Sequence, residues 1–173
     1  MADFFIADLH FGAQTIIRYE NRPFSDAEEM ERRLIENWNN AVGADDAVYV
    51  LGDFSAYADP ERDREILSQL AGTKILIMGN HDRHRTPKKW RSLGFAECSS
   101  WPILYREFFL LSHEPLYINQ NMPYANFYGH VHNNASYRDV SPQSVCLSVE
   151  RTDYRPLEFF EIRNRMKAAD QNL

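Results

Sequence analysis

Lys74-Ile75-Leu76-Ile77-Met78-Gly79-Asn80-His81-Asp82 is the stretch that decides the fold. An apolar run of strand length stops at a glycine and hands over to three residues that can bind metals or move protons. The same handover recurs through the chain. Phe4-Phe5-Ile6-Ala7 ends at Asp8 and His10, and Ala47 to Leu51 ends at Gly52-Asp53. Phe108 to Leu111 ends at Ser112-His113, and Phe127-Tyr128 ends at Gly129-His130-Val131-His132. In open α/β sheets, sites form in the crevice outside the carboxyl ends of the strands. Five strand ends of this kind are expected to meet at one point.

Helical signals fill the gaps between the early strands. Ser25 and Glu28 read as a capping box, followed by Met30, Leu34, Ile35 and Trp38 at helical spacing, with the helix ending near Gly43. A second helix is expected from Pro60 to Leu70 with Gly72 as its stop, and a short one from Lys88 to Leu93. Beyond Gly94 the pattern turns to strands, and the tail after Glu158 turns helical. A βα-alternating front half and a β-rich back half predict an α/β (α+β) fold, a two-sheet β-sandwich flanked by helices, as a single domain over residues 1–173.

Composition agrees. A chain of 173 residues that is 44% hydrophobic is globular rather than disordered. Cys98 and Cys146 lack metal-site spacing, so both are expected as free thiols in a reducing cytoplasm. Asp3 and Asp8 interrupt the first apolar run, which argues against a signal peptide, and no run is long enough to span a membrane. The net charge of −6 gives no general attraction for nucleic acid or phosphate, so a phosphate site here needs local positive charge. Bound dications supply it.

The residue types suit such ions. Histidine nitrogen with Asp and Asn oxygen favours Mn, Fe, Zn or Ni over Ca, and the absence of Cys argues against a structural zinc. Asp-x-His alone is weak, expected about 0.4 times by chance. Gly-His-x-His and Gly-Asn-His-Asp are expected only about 0.008 and about 0.001 times. The ordered series Asp8-Leu9-His10, Gly52-Asp53, Gly79-Asn80-His81-Asp82, Ser112-His113 and Gly129-His130-Val131-His132 resembles the calcineurin-like metallophosphoesterase superfamily. The match runs over nearly the whole chain. The likeness is greatest to a small, capless bacterial or phage branch, through His10-Phe11-Gly12, Ile16-Ile17-Arg18-Tyr19 and Asn21-Arg22-Pro23-Phe24. Ala13 stands where that branch usually has His, and Cys146 where Asn is common.

The resemblance implies two divalent metal ions, Mn first and Fe, Zn or Ni as alternatives. Asp8, His10, Asp53 and His132 would hold one. Asp53, Asn80, His113 and His130 would hold the other, with Asp53 bridging. It also implies a phosphoric ester hydrolase that attacks a phosphate mono- or diester with a metal-bridging hydroxide. Asn80, His81 and Asp82 form the catalytic group: His81 acts as general acid, and Asp82 orients it by a hydrogen bond.

Other residues carry weaker readings. Arg18 and Arg22 are candidate phosphate clamps, against a reading as loop charges. His84 is read as surface, and Trp38, Trp90 and Trp101 as packing residues. Tyr57, Tyr117, Tyr124 and Asn121 are candidate pocket-lining residues. The basic run Arg83, Arg85, Lys88, Lys89 and Arg91 reads first as a solvated helix face and second as a phosphate-recognition rim. A small phosphoester is the expected substrate. A nuclease acting on DNA or RNA is the alternative, and a catalytically silent protein-binding module a third.

Overall fold

A computed structural model describes residues 1–119, 121–137 and 143–170. In chain order the strands are β1 (Asp3–Ile6), β2 (Ala47–Val50), β3 (Thr73–Ile77), β4 (Glu97–Ser99), β5 (Ile103–Tyr105), β6 (Phe109–Leu111), β7 (Ala125–Tyr128), β8 (Ser144–Cys146) and β9 (Leu157–Glu158). The helices are α1 (Gln14–Tyr19), α2 (Ala27–Ala41), α3 (Pro60–Gln69), α4 (Pro87–Leu93) and α5 (Phe159–Asp170).

Two mixed sheets result. One has the order β4-β3-β2-β1-β9, the other β5-β6-β7-β8. The first four strands run parallel, with β9 antiparallel against β1. In the second sheet β6, β7 and β8 are parallel and β5 antiparallel.

The side-chain alternation of β1 shows how the layers assemble. Phe4 and Ile6 face a core built with Met30, Leu34 and Trp38 of α2 and Ile66 and Leu67 of α3. Phe5 and Ala7 face the other way, into a core shared with Phe109, Leu111, Phe127, Val145 and Phe159. A period of two on a strand covered on both faces gives this division. Phe5 meets Phe127 of the opposite sheet edge-on, with ring centroids 5.3 Å apart. The sheets are stitched together at one end: Ala7 N–H donates to Leu147 O at 2.9 Å, and Val149 N–H donates to Ala7 O at 3.1 Å.

Several local expectations need correction. The cap of α2 is Asp26, whose carboxylate accepts the Glu29 N–H at 2.8 Å. Glu29, not Glu28, reaches back to accept from both N–H and Oγ of Ser25. The motif is therefore displaced by one residue, because Asp26 is an equally good acceptor lying nearer the first turn. The helix stops at Ala41, since Val42 turns extended and buries its side chain in the core. Trp101 is 78% exposed rather than packed, in the bend joining β4 and β5. Trp38 and Trp90 are fully buried as expected. Between β1 and α2 lies a further helix with no counterpart among the expected ones, α1, which is six residues long and buries only Ile17. That length leaves no periodicity to read.

Candidate metal centre

The five expected strand ends do converge. Asp8 and His10 follow β1, Asp53 follows β2, Asn80 follows β3, His113 follows β6, and His130 and His132 follow β7. Both sheets thus contribute at the same edge. Asp53 Oδ2 lies 3.5 Å from His10 Nε2 and 3.4 Å from His113 Nε2, so one carboxylate oxygen faces imidazoles from both sheets. Asn80 Oδ1 lies 2.9 Å from His113 Nε2 and 3.0 Å from His130 Nδ1, and those two nitrogens are 3.1 Å apart. His132 Nε2 approaches Asp8 Oδ1 at 3.9 Å. Donor atoms of Asp8, His10 and His132 fall within 4.8 Å of one another, as do those of Asp8, Asp53 and His113.

The backbone is bent to make this possible. Asp8, His10, Asp53, His130 and His132 all have left-handed φ, between 46° and 71°. Asp and His tolerate that region better than most residues, yet each such turn carries a strain cost. Backbone bonds lock the bends: Asp8 N–H donates to Gly52 O at 3.0 Å, and His10 N–H to Asp53 O at 2.9 Å. Two motif glycines are explained by proximity. Gly52 has φ +88°, and a Cβ there would overlap the His113 ring. A Cβ on Gly79 would overlap Asp53 Oδ1 and sit 2.7 Å from its nitrogen.

The electrostatics follow from burial and proximity. Burial raises the Asp8 carboxyl. It also drives His10 down to about 3, so this ring is neutral and presents a free lone pair. Its Nε2 is buried and has no hydrogen-bond partner among the described residues. At Asp53 burial pushes up, but His113 and His10 outweigh it and hold the carboxyl at about 2. At His113 burial pushes down, while Asp53 and Asp8 lift it to about 9. His113 Nδ1 sits 2.9 Å from Leu51 O, so that nitrogen keeps its proton and Nε2 is the one that would give its proton up to a cation. Crowded lone pairs, a partnerless buried imidazole nitrogen and a carboxylate between two rings together fit divalent cations.

A family model for calcineurin-like phosphoesterases matches residues 4–161. The chain belongs to the calcineurin-like phosphoesterase family. It is similar to an uncharacterized protein of Methanocaldococcus jannaschii, at 36% identity over 89% of this chain and 85% of the relative. The gene 66 protein of Mycobacterium phage L5 is 36% identical over a shorter stretch, 45% of this chain and 38% of that protein. A crystal structure of an Aquifex aeolicus protein of unknown function superposes with a TM-score of 0.72 at 27% identity, covering 94% of this chain and 98% of that one. Membership of this phosphoesterase family supports hydrolase chemistry and metal binding at the centre.

Around the metal centre of this family member, three expected roles change. Asp82 does not orient the His81 ring. Its carboxylate is fully buried and accepts three backbone N–H groups: Asp53 at 2.7 Å, Gly79 at 2.8 Å and Phe54 at 2.9 Å. Burial pushes this carboxyl up to about 7 against the pull of those N–H groups. Asp82 therefore ties the β2 and β3 loops together. Its chain neighbour His81 instead projects outward, its ring 5.2 Å from that of His10, and its N–H donates to Asp53 Oδ1 at 2.8 Å.

Arg22 is no phosphate clamp. Its side chain is fully buried and paired with Glu150, out of reach of a ligand. Arg18 is exposed on α1 and lines a surface cavity of about 420 Å³ with Thr15 and Tyr19. The basic run is not one face either. Arg85 is buried against Asp63 at 2.8 Å, and Arg83 pairs with Glu114 at 3.2 Å. His84 is exposed, as expected. Tyr57 packs its ring over Gly12 and donates its hydroxyl to Glu31, Tyr117 is 90% exposed, Asn121 is exposed and Tyr124 half-buried. Ala13 lies at the start of α1, donating its N–H to His10 O at 3.0 Å.

Sequence reasoning missed Ser148 and Glu150. Ser148 Oγ donates to Asp8 Oδ2 at 2.6 Å, and Cys146 Sγ lies 3.1 Å from that hydroxyl. Glu150 Oε1 lies 3.0 Å from His132 Nδ1. Ser148 follows the short apolar run Val145-Cys146-Leu147, but a serine hydroxyl is not one of the Asp, Asn or His groups that flagged the ligands, and Glu150 ends no such run. Glu150 lies in a short 3-10 turn, Val149–Arg151, which has no motif.

Proposed function

We propose that this protein is a dinuclear phosphoesterase that hydrolyses a small phosphate mono- or diester. Asp8, His10, Asp53 and His132 would hold one divalent cation, and Asp53, Asn80, His113 and His130 would hold the other. Mn is the first candidate, with Fe, Zn or Ni as alternatives. The observation that carries this reading is Asp53 Oδ2, 3.5 Å from His10 Nε2 and 3.4 Å from His113 Nε2. A carboxylate shared in this way suits two cations set close together. When bound, the cations would supply an acidified water as nucleophile and neutralise charge on the phosphoryl oxygens.

The protein's own residues do the rest. The neutral His10 points a free lone pair inward, and Leu51 O holds one His113 proton at Nδ1, so that only the Nε2 proton has to leave when a cation binds. His81, exposed beside His10 and tethered through its N–H to Asp53, protonates the departing oxygen as general acid. Arg18, on the exposed face of α1, is left as the candidate contact for the rest of the ester. A polymer substrate is disfavoured, because the buried Arg85 and the paired Arg83 break up the basic rim that a nuclease would use. No helix among the described residues is long and apolar enough to cross a membrane.

The test is hydrolysis of aryl phosphate mono- and diesters by Mn-loaded protein beside its Asp53→Asn and His81→Ala variants. Asp53→Asn is expected to lose turnover together with metal. His81→Ala should lose rate while keeping both ions. Turnover no greater than that of Asp53→Asn would refute the proposal.

A further inference from the structure

Arg22 and Glu150 are 128 positions apart in sequence, and their charged groups meet at a buried point beside His132. Arg22 donates Nε to Glu150 Oε1 at 2.8 Å, and its Nη2 lies 2.7 Å from the same oxygen. The guanidinium does more than neutralise. Nη2 also donates to Asp8 O at 2.7 Å, and Nη1 to Leu9 O at 3.0 Å. Both carbonyls belong to the left-handed bend that presents Asp8 and His10. On its other side Glu150 Oε1 takes His132 Nδ1 at 3.0 Å, which turns Nε2 toward Asp8. The side chains of Arg22 and Glu150 are 0% and 1% exposed.

From this arrangement we infer that Arg22 and Glu150 are positioning residues that build one of the two cation sites, that of Asp8, His10 and His132, and not the other. The inference rests on the two-cation reading above. Every ligand peculiar to that site is held by this pair: Asp8 and His10 through the pinned carbonyls, His132 through its Nδ1. The second site is held differently. His113 is oriented by Leu51 O, and the loops bearing Asp53 and Asn80 are tied by Asp82. Asp53 is the shared member: Asp82 accepts its N–H at 2.7 Å, and its own carbonyl accepts the His10 N–H at 2.9 Å. A carboxylate on the far nitrogen of a ligating histidine fixes the tautomer and makes the ring a better ligand. Glu150 is not itself a ligand. Although Glu20, His132 and Glu150 cluster closely enough to suggest a third ion, the guanidinium against Glu150 supplies the positive charge there.

The two sites should therefore separate on substitution. Zn binding to wild-type, Glu150→Gln and Glu150→Ala protein, measured by equilibrium dialysis with elemental analysis, reads this directly. Wild-type protein is expected to bind two ions per chain. Glu150→Ala should weaken one of them about 10–100-fold, leaving the other unchanged. Glu150→Gln keeps an oxygen acceptor in place and should recover part of the loss. In Zn-loaded wild-type protein, nitrogen NMR should find His132 Nδ1 protonated, a readout that needs no variant to fold. Equal weakening of both ions, no weakening, or an unprotonated Nδ1 on His132 overturns the inference. Wild-type protein that binds fewer than two ions overturns the two-cation reading itself, and the positioning role of Arg22 and Glu150 with it.

Discussion

Replacing Asp82 by Asn separates two accounts of this residue. If Asp82 oriented the His81 ring, the variant would lose rate and keep its stability. The geometry assigns it to the backbone instead, with three N–H donors sharing its two oxygens. An asparagine offers one carbonyl. Placed at the Oδ2 position, that carbonyl keeps Asp53 and Gly79 but turns an amide donor toward the Phe54 N–H. One buried donor is stranded, at a cost of about 1–3 kcal/mol. Alanine strands all three, about 3–9 kcal/mol on the same scale, which rivals a whole domain's stability of about 5–15 kcal/mol. For a chain of this length Asp82→Asn should lower the melting temperature by about 2–12 °C. The assay is urea and thermal unfolding in EDTA, so that lost metal cannot mimic the effect. Unchanged stability of Asp82→Asn in EDTA, with reduced turnover, would refute the backbone role.

Other expectations follow from the same contacts. In metal-free protein burial lowers His113 but Asp53 and Asp8 lift it to about 9, above its unfolded value of 6.5. Its contribution is thus full below pH 6.5 and lost as pH rises through about 9, so the urea midpoint in EDTA should fall over that window. A cation at Nε2 displaces that proton, so calorimetry at pH 7.5 in buffers of different ionisation enthalpy should show proton release on metal binding. Arg85→Met leaves Asp63 buried without its guanidinium and should cost about 3–5 kcal/mol in urea unfolding. Trp101→Ser removes an exposed ring and should shift stability by no more than about 0.5 kcal/mol.

The strand ends were legible because each carries two signals at once, an apolar run and a polar terminus. Both signals arise from local sequence, and the sheet brings their products together. Helix α3 was legible to within a residue for a similar reason, having a proline at its start and a core-facing pair in Ile66 and Leu67. What could not be read is what depends on contacts distant in sequence. Arg22 looked like a phosphate clamp or a loop charge because its partner lies 128 positions away. Asp82 looked like a partner for its neighbour His81, yet its acceptors serve Asp53 and Phe54, across a parallel strand pair. Arg85 looked solvated until Asp63, inside α3, was seen to face it. Sequence spacing shows which residues have side chains of a type that can ligate a metal; which buried charges hold them in place depends on the packing.

The central claim is that Asp53 is shared between two cations. A crystal of Mn-soaked protein, measured at the manganese absorption edge, tests it most directly. The account predicts two anomalous peaks about 3.5–4 Å apart, both in contact with Asp53, one beside His10 and His132 and the other beside His113 and His130. A single peak, or two peaks of which only one touches Asp53, would contradict it.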